Sequence, residues 1–439
     1  MDSARAQFFA SYFAQGVQGV GKNFLRHQAS LESGGDLLWL QLLYNLLPEY
    51  GSLPWTLKPG LMFLAEQGLS SGGRRVLAAA SALLCGAAFA WLAAGAPAGV
   101  ALLLCAALMS TGSAIVDGLV DGRVAEASSD GQHAAEYRYL CECGKFSGTV
   151  IVTLAVWALS LSQATMLAIA AGAWTAVALC VSAAGSSWTD AASGKVKSPA
   201  PGDQKPAGGE AWPALGGLRS LASGSAPRVM AVTFLACLSP SLDFFLFNQQ
   251  VLGLTAAQQS LVSLLGSAGF FFGGFLYKKW LASRRSAHSA LALCLAVWPL
   301  GALVSIAVAW LRLPGELGLL LAALERAAAE FSTAMTFMPC SVLMQLHAPR
   351  GCESSGFAIM QLSGTLGSVV ARNAQYVLLA WVGVSPKDGW SGFPTALAVA
   401  AAWRAATAVL VRAALLPRLA RGASCAAGQQ EPASAKRDA

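Results

Sequence analysis

Apolar stretches of about twenty residues recur along the whole chain, and they constrain its fold more than any other feature of the sequence. A helix needs about 20 mostly apolar residues to cross the hydrocarbon core of a bilayer. The composition agrees, because 55% of the 439 residues are hydrophobic and only 12% are charged. The sequence therefore predicts an all-α, polytopic membrane protein whose first partner is the lipid bilayer.

We identify about twelve such stretches, of which the first is the weakest, and a polar segment divides them into two sets of six. The predicted spans are residues 8–20, 37–64, 76–92, 97–120, 146–161 and 164–184, then 229–247, 258–280, 290–311, 317–346, 356–384 and 393–416. The segment between the sets is rich in Gly, Ser, Pro and charged residues, a composition that cannot bury enough apolar surface to fold. We expect two six-helix halves, 1–185 and 229–416, with a flexible cytoplasmic linker at 186–228 and a disordered cytoplasmic tail at 417–439.

The distribution of Lys and Arg predicts the orientation of the helices, because basic residues concentrate in short loops on the cytoplasmic side. The even-numbered loops are the basic ones, with Arg74, Arg75, Arg123, Arg138, Lys195, Lys197, Lys205, Lys278, Lys279, Arg284 and Arg285. Both termini are therefore expected on the cytoplasmic side. The net charge of +7 therefore needs no nucleic-acid partner to explain it.

Six helices, a long linker and six more helices is a layout that resembles the major facilitator transporters, whose halves are internal repeats. "EQGLSSGGRR" after helix two and "GGFLYKKWLASRR" after helix eight occupy equivalent places in the two halves. The first resembles the signature loop of that superfamily, with Glu66 in the acidic position and Arg74 and Arg75 in the basic ones. The resemblance implies that these three residues take part in gating.

A narrower resemblance starts from "GSLPWTLKP" in helix two, where Pro54, Trp55, Lys58 and Pro59 match an element of the folate-biopterin transporter family. Further matches follow in the family's order: "YFAQGVQGV", "SAIVDGLVDGRVAEA", "SPSLDFFLFNQQVLGLT" and "FMPCSVLMQLHAPRGCESSGFAIM". The resemblance implies a secondary active transporter of folate- or pterin-like solutes that works by alternating access, with Trp55 and Lys58 at the solute site. The family occurs in plasma membranes and plastid envelopes, and the short segment before Phe8 favours the plasma membrane.

Lys58 is the first of several ionisable residues in otherwise apolar helices, where a charge costs at least a few kcal/mol and must line a polar space. Pro54 and Pro59 flank it and bend helix two, so that backbone carbonyls are freed toward a cavity. Lys58 could bind an anionic group of the solute, such as the glutamate carboxylates of folate. Alternatively, it snorkels to the cytoplasmic headgroups.

Asp117 and Asp121 are four residues apart, so both carboxylates lie on one face of helix four. Two such groups repel, and one of them could hold a proton at neutral pH, as a proton-coupled carrier requires. Alternatively, Asp121 pairs with Arg123 or with the Arg74/Arg75 loop and locks one conformation.

Asp243 lies among phenylalanines, including Phe245, in helix seven. A carboxylate can accept the adjacent N–H donors of a flat pterin while aromatic rings stack on it; alternatively, these rings face lipid or a neighbouring helix. Arg372 in helix eleven has no acid within a turn, so it should pair with another helix or with a solute carboxylate. Glu353 begins helix eleven, and its family match implies a gating contact, with simple helix capping as the alternative.

An enzyme is the main rival class. The DxxxD pattern of Asp117 and Asp121 resembles the motif with which intramembrane prenyltransferases hold magnesium-diphosphate, but the second acidic cluster that they need is missing from the sequence. The cysteines and histidines have no metal-binding spacing, and no cofactor motif is present. We therefore predict no enzyme, no metal and no cofactor, with a carrier of another small organic anion, or a sensor or scaffold, as the remaining alternatives.

Overall fold

The computed structural model describes residues 3–32, 43, 46–47, 53–95, 99–128, 131–183, 221–222, 225–239, 242, 244–349, 353–384 and 390–417. These residues form helices and connecting turns, with no strand among them. In chain order the helices are α1 (Ser3–Glu32), α2 (Leu53–Thr56), α3 (Lys58–Gly68), α4 (Ser71–Ala94), α5 (Val100–Ala127), α6 (Gly131–Leu159), α7 (Gln163–Ala183), α8 (Ala226–Cys237), α9 (Phe244–Gln250), α10 (Ala256–Leu276), α11 (Ala287–Leu311), α12 (Gly315–His347), α13 (Glu353–Val382) and α14 (Phe393–Leu410). Two π-helical segments, Tyr277–Ala282 and Val411–Leu415, extend α10 and α14.

The helices follow the predicted order of spans. The pair α2 and α3 forms the described part of the second span, α8 and α9 form the seventh, and each other helix is one span. Among the described residues, seven helices are long and apolar enough to cross a membrane: α4, α5, α6, α7, α10, α11 and α14. The long helices α1, α12 and α13 instead carry many of the buried polar side chains. Most of the predicted linker, and the predicted tail after residue 417, lie outside the described residues.

Two helix boundaries differ from the prediction in a way that matters for function. Helix α6 begins at Gly131, well before the predicted start at residue 146, so Arg138 lies in a helix and not in a loop. Helix α1 extends past its predicted end at residue 20, so Lys22 is also helical. Hydropathy missed the extension of α6 because it carries charged residues such as Arg138 and Glu142, which are buried in the protein interior.

The two halves repeat the same helix pairing. In the first half α1 packs on α6, α3 on α5 and α4 on α7; in the second half α8 packs on α13, α10 on α12 and α11 on α14. Each pair joins equivalent spans, which is the internal pseudo-repeat expected of such transporters. Contacts between the halves follow the same symmetry, since α3 and α5 meet α13 while α10 and α12 meet α6.

Small residues bring α1 and α6 into backbone contact. A Cβ atom at Gly144 would overlap the carbonyl oxygen of Phe9, and one at Gly148 would overlap that of Phe13. This small-xxx-small spacing is typical of close helix pairs in membranes, where packing replaces the hydrophobic effect. The close approach fixes the height and rotation of α6 against α1.

Gly148→Ala should therefore destabilise the protein by about 1–3 kcal/mol, the usual cost of overpacking a close interface. The measurement is the thermal unfolding midpoint of the purified protein in detergent. Gly172→Ala in α7 is the matched control, because a Cβ there meets nothing within 4 Å, and Ala is the better helix former. Equal midpoints for the two variants would contradict this account of the α1–α6 contact.

Candidate functional site

Lys58 lies at the break in the second span, as the flanking prolines predicted. Helix α2 ends at Thr56, and α3 begins at Lys58 with Pro59 in its first turn, where a missing N–H costs nothing. The side chain turns inward and is only 2% exposed. The structure therefore does not support the alternative in which Lys58 snorkels to the headgroups.

Three oxygen atoms surround the Lys58 ammonium. It lies 2.6 Å from Asp117 Oδ2 and 3.0 Å from Asp121 Oδ2, and it donates to Gln361 Oε1 at 2.5 Å. The Trp55 ring centroid is 5.1 Å from the same nitrogen. Since Gln361 belongs to α13, this ammonium joins the two halves of the protein.

Asp117 and Asp121 share one face of α5, as predicted, and a second cation balances them. Arg138 Nη1 lies 3.1 Å from Asp121 Oδ1, and the Tyr12 hydroxyl donates to the same oxygen at 2.8 Å. The other end of the Arg138 guanidinium pairs with Glu142 Oε1 at 2.9 Å. Every carboxylate is thus held by at least one buried cation.

We call this set the ion cluster: Lys58, Asp117, Asp121, Arg138 and Glu142, whose members are each 5% exposed or less. The sequence suggested Arg123 and the Arg74/Arg75 loop as partners for Asp121. In the structure the Glu126 carboxylate lies 3.6 Å from the Arg123 guanidinium and 4.0 Å from that of Arg74. Arg75 follows Arg74 in the first turns of α4. The partners of Asp121 therefore come from α1, α3 and α6.

A cavity of about 390 Å³ lies directly above the ion cluster, between the two halves. Ligand sites usually have volumes of about 300–1,000 Å³. Asp117, Arg138 and Glu142 form its floor, and helices α1, α5 and α6 face α10, α12 and α13 across it. The cavity is large enough for a small organic solute.

The walls combine aromatic rings with charged groups. Phe146 of α6 stacks on Phe271 of α10, with ring centroids 4.7 Å apart, and Phe337 lies 4.9 Å below the Arg138 guanidinium in the same wall. Lys22, Lys145, Arg326 and Glu330 also line the cavity. Arg326 and Glu330 form the internal pair that their spacing predicted, at 2.7 Å.

The cavity extends from the ion cluster toward one end of the helices. Its lining on α1 runs from Tyr12 to Lys22, and its lining on α6 runs from Arg138 to Thr153. Both runs lead to the end at which α1 and α6 terminate. The site is therefore reached from that end in this conformation.

The opposite end is closed by Glu66. Its carboxylate accepts from the backbone N–H of Ser354 at 2.7 Å and of Ser355 at 3.1 Å, and from the Ser355 hydroxyl. These are first-turn donors of α13, where a negative charge is favourable. Gly122 of α5 packs so closely on Ser354 that no Cβ would fit. Glu353, predicted to gate, is the first residue of α13 at this same contact.

Three predicted site residues remain: Asp243, Phe245 and Arg372. Asp243 and the side chain of Phe245 lie outside the described residues. Phe247, nearby, stacks on Phe393 with ring centroids 4.9 Å apart, in an aromatic core of the second half. Arg372 is half-buried on α13 and is not among the cavity residues.

Sequence reasoning missed Arg138 and Glu142 as site residues. The sequence did contain an indication of their role. Arg138 and Glu142 are four residues apart, a spacing typical of an ion pair within a helix, and they lie just before the predicted start of the fifth span. It also missed Gln15, whose amide donates to Asp117 Oδ1 at 2.9 Å, although Gln15 lies in the "YFAQGVQGV" motif. Gln361 carried no signal, since a single glutamine in a helix has many possible roles.

Lys58→Met should strongly destabilise the protein, by about 3–5 kcal/mol, because removing one partner leaves buried charges uncompensated. The double variant Lys58→Met/Asp117→Asn removes one charge of each sign and should recover part of that loss. Thermal unfolding of the purified proteins in detergent measures both effects. A single variant as stable as the wild type would show that the cluster is not held by this ion pair.

Comparison with known proteins identifies the family. The BT1 family model matches residues 18–431. No curated protein matches the chain in sequence at a significant level. Among solved structures, the proton:xylose symporter XylE is similar with a TM-score of 0.65 and 12% identity, over 95% of this chain and 98% of that one.

Two further structures have the same architecture. A bacterial homologue of the iron transporter ferroportin, in an outward-facing state, has a TM-score of 0.61 at 13% identity over 96% of this chain and 99% of its own. The nucleoside transporter NupG has a TM-score of 0.61 at 14% identity over 92% and 98%. The predicted fold of about 12 transmembrane helices in two six-helix halves is thus confirmed. The chain belongs to the BT1 family and is a membrane transporter of the major facilitator type, not an enzyme.

Proposed function

We propose that this protein is a secondary active transporter of folate- or pterin-like solutes. The observation that carries the proposal is the cavity between the halves, whose floor places carboxylates beside aromatic rings. A pterin is flat and presents adjacent N–H donors. A carboxylate can accept such donors as a pair while aromatic faces stack on the ring.

Asp117 and Glu142 are the acceptors best placed for the ring, since both line the cavity. Trp55 and Phe337 line the same cavity and supply aromatic faces. In this proposal Lys58 holds Asp117 in position and does not bind the solute, because two carboxylates and an amide already occupy it.

Alternating access would proceed by rocking one half against the other around this cavity. The Glu66 contact closes one end, supported by an aromatic layer in which Tyr139 lies 5.5 Å from Phe271 and 6.2 Å from Phe275. The basic loops support a cytoplasmic position for this closed end. We therefore propose that the structure is in an outward-facing state and that both termini are cytoplasmic.

Proton coupling follows from the charges of the ion cluster. Two cations, Lys58 and Arg138, face the three carboxylates of Asp117, Asp121 and Glu142. One negative charge remains uncompensated in a buried site, where unpaired charge is costly. Binding of one proton would neutralise the cluster, and Asp117 and Glu142 are open to protons from the cavity. We propose symport of solute and proton on this ground.

Uptake of labelled folate and labelled biopterin into cells that express the protein tests the proposal. We expect saturable uptake that rises with an inward proton gradient. Asp117→Asn should lower it by about 10–100-fold, the usual effect of losing a charged hydrogen bond. Arg284→Ala, an exposed position beyond α10, is the control for expression at the surface.

Two results would count against the proposal in different ways. Uptake that ignores the proton gradient would remove proton coupling and leave the solute class standing. Failure of well-expressed protein to take up either compound would favour another small organic anion, and a wider screen of such solutes would then decide.

Glu66→Ala should weaken the closed end, because loss of a helix cap costs about 0.5–2 kcal/mol. We expect a several-fold shift toward the conformation that is open at this end. Spin labels at position 75, in the first turns of α4, and at position 285, in the turn before α11, would report the shift as a longer distance. Gln67→Ala, on the next residue of α3, is the control and should leave the distances unchanged; an equal shift in both variants would refute the capping role.

A further inference from the structure

Lys145 differs from the other cations around the cavity. Lys58 and Arg138 are held by the ion cluster, and Arg326 pairs with Glu330. The Lys145 side chain is exposed and lines the cavity, and within the part of the chain that the structure describes it has no ion-pair partner. A charge at this depth in a membrane protein usually marks a solute pathway.

The backbone of Lys145 is rigidly placed even though its side chain is open. A Cβ atom at Gly16 would overlap the Lys145 carbonyl oxygen, so α1 presses directly on this turn of α6. Gly144 and Gly148, on either side, make the close contacts with α1 described above. The ammonium thus extends into the open cavity from a closely packed backbone, which suits a group that must bind and release an anion.

Lys145 lies farther along α6 than Arg138 and Glu142, the two floor residues of the same helix. It lies three residues beyond Glu142 and seven beyond Arg138, on the same face of α6. At 1.5 Å per residue, α6 rises about 10 Å from Arg138 to Lys145. The aminobenzoyl spacer of folate separates its ring from its carboxylates by a comparable length.

The sign of the charge changes along the cavity. The ion cluster at the floor has two cations and three carboxylates. Above it lie three cations, Lys22, Lys145 and Arg326, and one carboxylate, Glu330. A solute that carries N–H donors at one end and carboxylates at the other would match both regions in a single orientation.

We propose that Lys145 is the specificity-determining residue that binds the carboxylate tail of the solute, with the heterocycle directed to the floor. This inference rests on the proposed function and refines it. The Lys145 ammonium would select solutes with an anionic tail, such as folate, over pterins whose side chain is neutral, such as biopterin. Lys145 takes over the role that the sequence suggested for Lys58.

Equilibrium binding of labelled folate and labelled biopterin to the purified full-length protein in detergent tests this proposal. Lys145→Met keeps the length of the side chain and removes its charge, while Lys145→Arg keeps the charge. We expect Lys145→Met to raise the Kd for folate about 10–100-fold, as for other lost charged hydrogen bonds, and to leave that for biopterin unchanged. Lys145→Arg should restore most of the folate affinity, and Arg284→Ala should change neither value.

Each other outcome overturns the proposal and identifies the reason. Equal loss of both ligands in Lys145→Met would mean a structural role, and loss of neither would mean that the tail binds elsewhere. In both cases wild-type binding still supports the proposed function. Wild-type protein that binds neither compound would instead overturn the proposed function, and this inference with it.

Discussion

One buried ammonium, that of Lys58, organises the centre of this protein. It lies 2.6 Å and 3.0 Å from two carboxylates of α5 and hydrogen-bonds an amide of α13. The carboxylates could not be buried side by side without it, because uncompensated charge in a low-dielectric interior costs several kcal/mol. Asp121 also pairs with Arg138, and Arg138 pairs in turn with Glu142. The cavity floor, formed by Asp117, Arg138 and Glu142, depends on this arrangement.

The α1–α6 contact positions the charged side chains of α6 along the cavity. Glycines let the two backbones touch, so Arg138, Glu142 and Lys145 project into the cavity at fixed heights along α6. The ion cluster and the cations above it are therefore two levels of one helix surface. A solute that spans both levels would contact the ion cluster with one end and the cations above it with the other.

Much of this architecture could be predicted from local patterns. The count and order of spans followed from apolar length, and the break in the helix at Lys58 followed from two prolines. The sequence left open whether the Lys58 side chain turns inward or snorkels to the headgroups. Local spacing also put Asp117 and Asp121 on one face of a helix. It could not give their partners, since Lys58 is 59 and 63 residues away in the chain. Arg138 was missed because hydropathy treats a buried polar helix face as a loop.

Two contacts between the halves, Lys58 with Gln361 and Glu66 with the start of α13, have a shared consequence for the transport cycle. At Gln361 and at the start of α13, a charged group of the first half meets a neutral group of the second, either an amide or backbone N–H groups. Pulling these hydrogen bonds apart separates an ion from a dipole. All five charges of the ion cluster travel together with the first half. The barrier to rocking at these points is thus set by charge–dipole energies, which fall off faster with distance than the attraction between opposite charges.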